Sequence, residues 1–137
     1  MTVSFSHVGV CVTDLDRSIR FYVDGLGFEA AESWTIGSDY GTLMELPDVE
    51  LTSQFLRRDG ASIELLHYGS PGTVGSAERR PVNQLGLTHL CFRVDDVEAV
   101  ASRLATASTS STRKHRWVRP SWLTGRRPAD PTVPGEP

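Results

Sequence analysis

The run His7-Val8-Gly9-Val10-Cys11-Val12-Thr13-Asp14-Leu15-Asp16 can be laid over His89-Leu90-Cys91-Phe92-Arg93-Val94-Asp95-Asp96-Val97-Glu98, and the two match in chemistry at nearly every place. An internal repeat fixes architecture before any single element does. Each copy reads as a strand feeding a helix. In the first, Ser6, Val8, Val10 and Val12 alternate with Phe5, His7, Gly9 and Cys11, the period of a half-buried strand. In the second, Thr88, Leu90, Phe92 and Val94 take the apolar face. Both histidines therefore point to the opposite, more polar face.

Working outward, Asp14 is placed to cap a helix in which Leu15, Ile19, Tyr22, Val23 and Leu26 recur at helical spacing, until Gly25 and Gly27 end it. Asp95 or Asp96 caps the second helix, where Val97, Val100, Ala101 and Leu104 fall on one stripe. Strands are predicted at 29–36 and 42–46. A hairpin follows, Glu50 to Leu56 and Ala61 to His67, turned around Asp59-Gly60. The expected fold class is α+β: paired βαβββ modules, the second incomplete. Residues 1–68 form the first module, the Gly-, Ser- and Pro-rich 69–86 the linker and 87–105 the start of the second, with 106–137 an atypical tail.

Composition sets bounds on this plan. A chain of 137 residues holds one ordinary domain or two small modules sharing a core. No apolar run of membrane-spanning length occurs and the N-terminus carries no secretory pattern, so the expectation is a cytoplasmic protein with no membrane partner. Cys11 and Cys91 are too few for a disulfide framework and share the face of the two histidines, where small core packing is the favoured reading. Residues 1–105 hold eight arginines against fifteen acids, whereas 106–137 hold six basic residues against two acids, five of the eight prolines and a Ser/Thr run at 106–112. No hydrophobic period can be traced through that tail, and a disordered segment is expected. With thirteen arginines to one lysine, the chain has the composition of a GC-rich gene, and the tail that of an out-of-frame reading of one. Its cations do not interleave with aromatics, so no nucleic-acid partner is expected.

Three residues stand out by type and direction: His7, Glu64 and His89. A carboxylate in the middle of Ser62-Ile63-Glu64-Leu65-Leu66 is costly to bury unless paired, hydrogen-bonded or bound to a cation. Two imidazoles and one carboxylate leave open positions on a divalent ion, so Zn²⁺, Ni²⁺, Co²⁺, Mn²⁺ or Fe²⁺ could take a substrate oxygen there. Taken singly, a strand histidine is more often structural than a ligand, and Glu64 could be an edge acid facing water. The repeat makes His7 and His89 equivalent positions and joins them to one site. His67 reads as outward-facing or at the entry to a loop.

The run from His7 to Tyr22 ending Leu26-Gly27-Phe28, the segment Ser62 to Leu66, and Gly86 to Val97 together resemble the vicinal oxygen chelate superfamily of glyoxalases, bleomycin resistance proteins and extradiol dioxygenases, over roughly residues 4–105. The resemblance implies paired modules curving around a metal, a homodimer and a small-molecule substrate. His7, Glu64 and His89 fall where the family's first three metal ligands fall, with Glu64 also the catalytic group. It implies a lyase or isomerase such as lactoylglutathione lyase or an acyl-CoA epimerase, acting through a metal-stabilised enediolate. An extradiol-type dioxygenase is the alternative enzyme, though that branch takes its carboxylate from the second module. A non-catalytic antibiotic-binding protein or a degenerate inactive member are the alternatives outside enzymes. The repeat partner of Glu64 would stand near position 146, past Pro137, so a fourth ligand is not expected in this sequence.

Overall fold

The computed structural model describes residues 1–109 apart from 77 and 79. Its sheet has four strands in the order β1-β4-β3-β2: β1 (Val8–Cys11), β2 (Glu29–Ile36), β3 (Glu50–Arg58) and β4 (Ala61–Ser70). β1 runs parallel to β4 and the other pairs are antiparallel. The mixed α+β plan and the helix between β1 and β2 match the first module read from the sequence. The hairpin turns at Asp59 and Gly60, both in the left-handed region with φ of 49° and 78°, and this sets every later pairing of β3 with β4.

Helix α1 (Leu15–Arg20) begins where Asp14 accepts a hydrogen bond from the Arg17 backbone N–H at 2.9 Å. It then widens into a π-helical turn over Phe21–Gly25, and Gly27, at φ 73°, carries the chain into β2. Leu15, Ile19, Tyr22 and Val23 pack on Leu26, Phe28, Leu56, Ile63 and Leu65, the buried cluster on one face of the sheet. Leu56 and Leu65 are fully buried.

Two expectations need correction. The segment 42–46 is not a strand: Ser38–Tyr40 form a 3₁₀ turn and Gly41–Met44 a single helical turn, α2. Glu45, at φ 56°, ends that turn in the left-handed region, which a strand residue does not adopt. The second repeat copy also fails to form its strand. Residues 87–94 pair with no other strand among the described residues, since nothing described there stands to them as β4 stands to β1. They are held by apolar contact instead: Leu90 packs on the core, and Phe92 meets Phe28 edge to face at 5.9 Å.

Helix α3 (Val97–Thr109) starts at Asp96, whose carboxylate accepts from the Ala99 N–H at 3.0 Å. Val100 and Leu104 reach the core, while Val97 and Ala101 stay exposed, so the buried stripe is narrower than the sequence suggested. Leu104 sits where a side chain on Gly25 would otherwise be, and Arg103 donates to the Gly25 carbonyl at 2.7 Å. α3 extends to Thr109, past the expected start of the tail at 106. The remainder of the tail lies outside the described residues. No helix among the described residues is long and apolar enough to cross a membrane.

Candidate metal centre

The register decides which side chains meet. On β4, Ser62, Glu64, Leu66 and Tyr68 lie opposite Arg57, Phe55, Ser53 and Leu51 of β3, and Gly9 and Cys11 of β1 stand beside Glu64 and Leu66. This face is turned away from the buried cluster of Leu56, Ile63 and Leu65. His7, two residues before Gly9, projects on the same side. Its Nε2 lies 3.2 Å from Glu64 Oε2, and its Nδ1 lies 2.9 Å from Ser6 Oγ. Ser53 Oγ donates to Glu64 Oε1 at 2.5 Å. Both carboxylate oxygens of Glu64 are thus engaged, and the side chain is 17% exposed.

Around the pair runs an aromatic row. Phe55 meets His7 edge to face at 5.1 Å and Trp34 at 5.2 Å. Gly9 leaves space beside the carboxylate, since a Cβ there would meet Leu66 Cδ1 at 3.3 Å and Glu64 Oε2 at 3.9 Å. Further along, Arg57 pairs with Glu32 at 2.8 Å. The backbone hydrogen bond at Glu32, and then Arg57, hold that carboxyl below its ordinary value of 4.5. Burial alone pushes the Tyr22 phenol up on the other side of the sheet.

His89 does not join this pair. It is exposed, its Nδ1 lies 2.9 Å from Thr88 Oγ1, and the chain that follows runs along Phe28, on the side of the sheet opposite to Glu64. No three His, Cys, Asp or Glu side chains converge on a cation-sized space among the described residues. His7 and Glu64 fit a divalent ion as two donors: one nitrogen and one oxygen face each other, and the remaining atom of each group is held by a hydroxyl. The third donor is not assembled with them. A cavity of about 590 Å³ between the hairpin end and the start of α3, lined by Phe28, Arg58, Phe92 and Val100 among others, opens away from this pair.

Two further readings change. Cys11 and Cys91 are both exposed rather than packed in a core. His67 is half-buried and shares the face of Ile63 and Leu65, opposite Thr52, so it does not point outward. Ser53 and Phe55 went unnoticed in the sequence, yet counting back from the Asp59-Gly60 turn places Phe55 opposite Glu64 and Ser53 one same-face position beyond.

With this geometry established, comparison with known proteins is decisive for the family. The profile of the Glyoxalase/Bleomycin resistance protein/Dioxygenase superfamily matches residues 4–118. The chain belongs to that superfamily. It is 31% identical over 105 residues to the ethylmalonyl-CoA/methylmalonyl-CoA epimerase of Cereibacter sphaeroides, covering 74% of this chain and 69% of that protein. It is 29% identical over 101 residues to the mitochondrial methylmalonyl-CoA epimerase of Mus musculus, covering 72% of this chain and 50% of that protein. A crystal structure of a glyoxalase family protein from Bacillus cereus superposes with a TM-score of 0.69 at 24% identity, over 77% of this chain and 72% of the other, and supports the fold.

Proposed function

We propose that this superfamily member is an isomerase-type protein that moves a proton beside the carbonyl of a small acyl-CoA-like molecule, with a divalent ion held by His7, Glu64 and His89. The observation that carries the reading is the His7–Glu64 pair: two unlike donors 3.2 Å apart on one sheet face, each steadied by a serine. The two relatives named as epimerases support the reaction type. When bound, such an ion polarises a carbonyl oxygen and lowers the cost of removing the neighbouring proton.

The chain's own residues do the rest. In the tautomer that offers Nε2 to an ion, the His7 Nδ1–H donates a hydrogen bond to the Ser6 hydroxyl oxygen. Glu64 presents Oε2 on the same face as a ligand, and it would take a proton only by leaving the ion. Phe55 and Trp34 form an apolar wall that shields one side from water. His89 completes the set only if residues 87–94 move to the β1 side of the sheet, or if a second copy of the chain supplies the residue; a homodimer is part of the proposal.

The test is elemental analysis after supplementation with each candidate ion, joined to solvent-deuterium exchange at the carbon next to the thioester of methylmalonyl-CoA. The expected result is close to one equivalent of metal and exchange above that of the His7→Ala protein. A folded protein with less than about a tenth of an equivalent, whose exchange equals that of His7→Ala, overturns the reading. The His7–Phe55–Trp34 row favours one second reading, a non-catalytic binder of a planar ligand. Stoichiometric metal separates the two.

A further inference from the structure

Ser53 is the polar residue of the buried set among the described residues, at 1% exposure. It stands in the middle of the sheet, with Trp34 beside it on β2 and Leu66 beside it on β4. A hydroxyl shut between such neighbours needs a partner, and its partner is Glu64 Oε1 at 2.5 Å. The other oxygen of the same carboxylate is the one that faces His7 Nε2. One carboxylate therefore has its two oxygens assigned to different tasks, and the strand pairing that sets Ser53 diagonally across from Glu64 makes the assignment rigid.

We infer that Ser53 is a positioning residue, whose hydroxyl pins Oε1 so that Glu64 offers a single oxygen, Oε2, to a divalent cation beside His7. The inference rests on the metal reading above and deepens it. A carboxylate with both oxygens free can turn about its last bond and grip a cation with one oxygen or with two, which changes coordination number and closes a position that substrate needs. Held at Oε1 from inside the sheet, it is biased towards ligation through Oε2 alone. Gly9 contributes by leaving the space beside Oε2 open. Outer hydrogen bonds of this kind orient ligands at metal sites generally.

The experiment uses the full chain stripped of metal and titrated with Co²⁺, followed by visible absorption, in the wild type and in Ser53→Ala and Ser53→Thr. Ser53→Ala is expected to weaken Co²⁺ binding by about 10- to 100-fold. Its visible band should also lose intensity, as two-oxygen ligation raises the coordination number of the ion. Ser53→Thr keeps the hydroxyl and should restore both affinity and band. Circular dichroism and the thermal midpoint of the metal-free variants verify that the fold is intact, so a merely structural role for Ser53 would move stability and leave the Co²⁺ spectrum of the folded fraction unchanged. If folded Ser53→Ala binds Co²⁺ with the wild-type affinity and spectrum, Ser53 does not position Glu64. If the wild type itself takes up no Co²⁺, the metal reading falls and this inference with it, an outcome told apart from the first by the wild-type titration alone.

Discussion

His7 Nε2 and Glu64 Oε2 lie 3.2 Å apart although 56 residues stand between them in the sequence, because β1 runs parallel to β4 with Gly9 beside Glu64. A parallel pair needs a long crossover, and α1, β2 and β3 supply it. Everything between the two residues thus serves to bring one imidazole to one carboxylate.

If that pair is the core of a metal centre, His7→Ala should weaken divalent-metal binding more than tens-fold, as loss of a ligand costs at least what outer-shell changes cost. His89→Ala should do the same only if residue 89 reaches the site. Isothermal titration of both variants checks this. A His89→Ala protein with wild-type affinity would remove His89 from the ligand set while leaving the pair intact.

Binding should exceed turnover. Proton transfer needs a positioned acid–base group contributing about 10²–10⁴ in rate, and no third His, Cys, Asp or Glu stands with His7 and Glu64 among the described residues. Near-stoichiometric metal with weak deuterium exchange is expected. Deuterium incorporation followed by mass spectrometry checks this, and exchange fast enough to match the rate of metal-loaded epimerases would overturn the expectation.

Leu65 is fully buried at the centre of the core face. Leu65→Ala should cost about 2–5 kcal/mol, the range for a buried leucine whose cavity cannot collapse. The check is the urea midpoint. A loss below about 1 kcal/mol would mean that α1 and α3 do not press on the sheet as described.

The Glu32–Arg57 pair gives a small acid dependence. The Glu32 carboxyl sits below its ordinary value of 4.5, so its stabilising effect is complete above that value and is lost as pH falls through the lowered folded value. Glu32→Gln should therefore flatten the acid limb of the thermal midpoint below about pH 4.5. Both side chains are largely exposed, so the effect should be slight and should shrink in molar salt.

Cys11 and Cys91 are both exposed. Two thiols should react with an aromatic disulfide reagent in the native protein without denaturant. A single fast thiol would show that one of the faces is covered in solution, as a second copy would cover it.

Much of the first module was legible in advance because its signals are local. Alternation marks β1 and sets Ile63 and Leu65 on the face opposite to Glu64, Asp14 announces its helix by side-chain capping, and Asp59-Gly60 dictates a tight turn; for the second helix the sequence offered Asp95 or Asp96, and the structure uses Asp96. The repeat itself identified His7 and His89 as equivalents without any fold. What the sequence could not decide was anything that depends on a partner strand. Residues 87–94 carry the same alternating pattern as β1, yet a strand is defined by the chain beside it, and of the two only Val8–Cys11 has one among the described residues. Segment 42–46 looked extended, but it joins no strand of the described sheet and closes a helical turn that ends at Glu45 in the left-handed region. Ser53 is an ordinary residue in the sequence, and its meaning comes from a register that sets it across from Leu66 and within 2.5 Å of Glu64. Local patterning fixes which face a side chain takes; strand pairing fixes what it meets there.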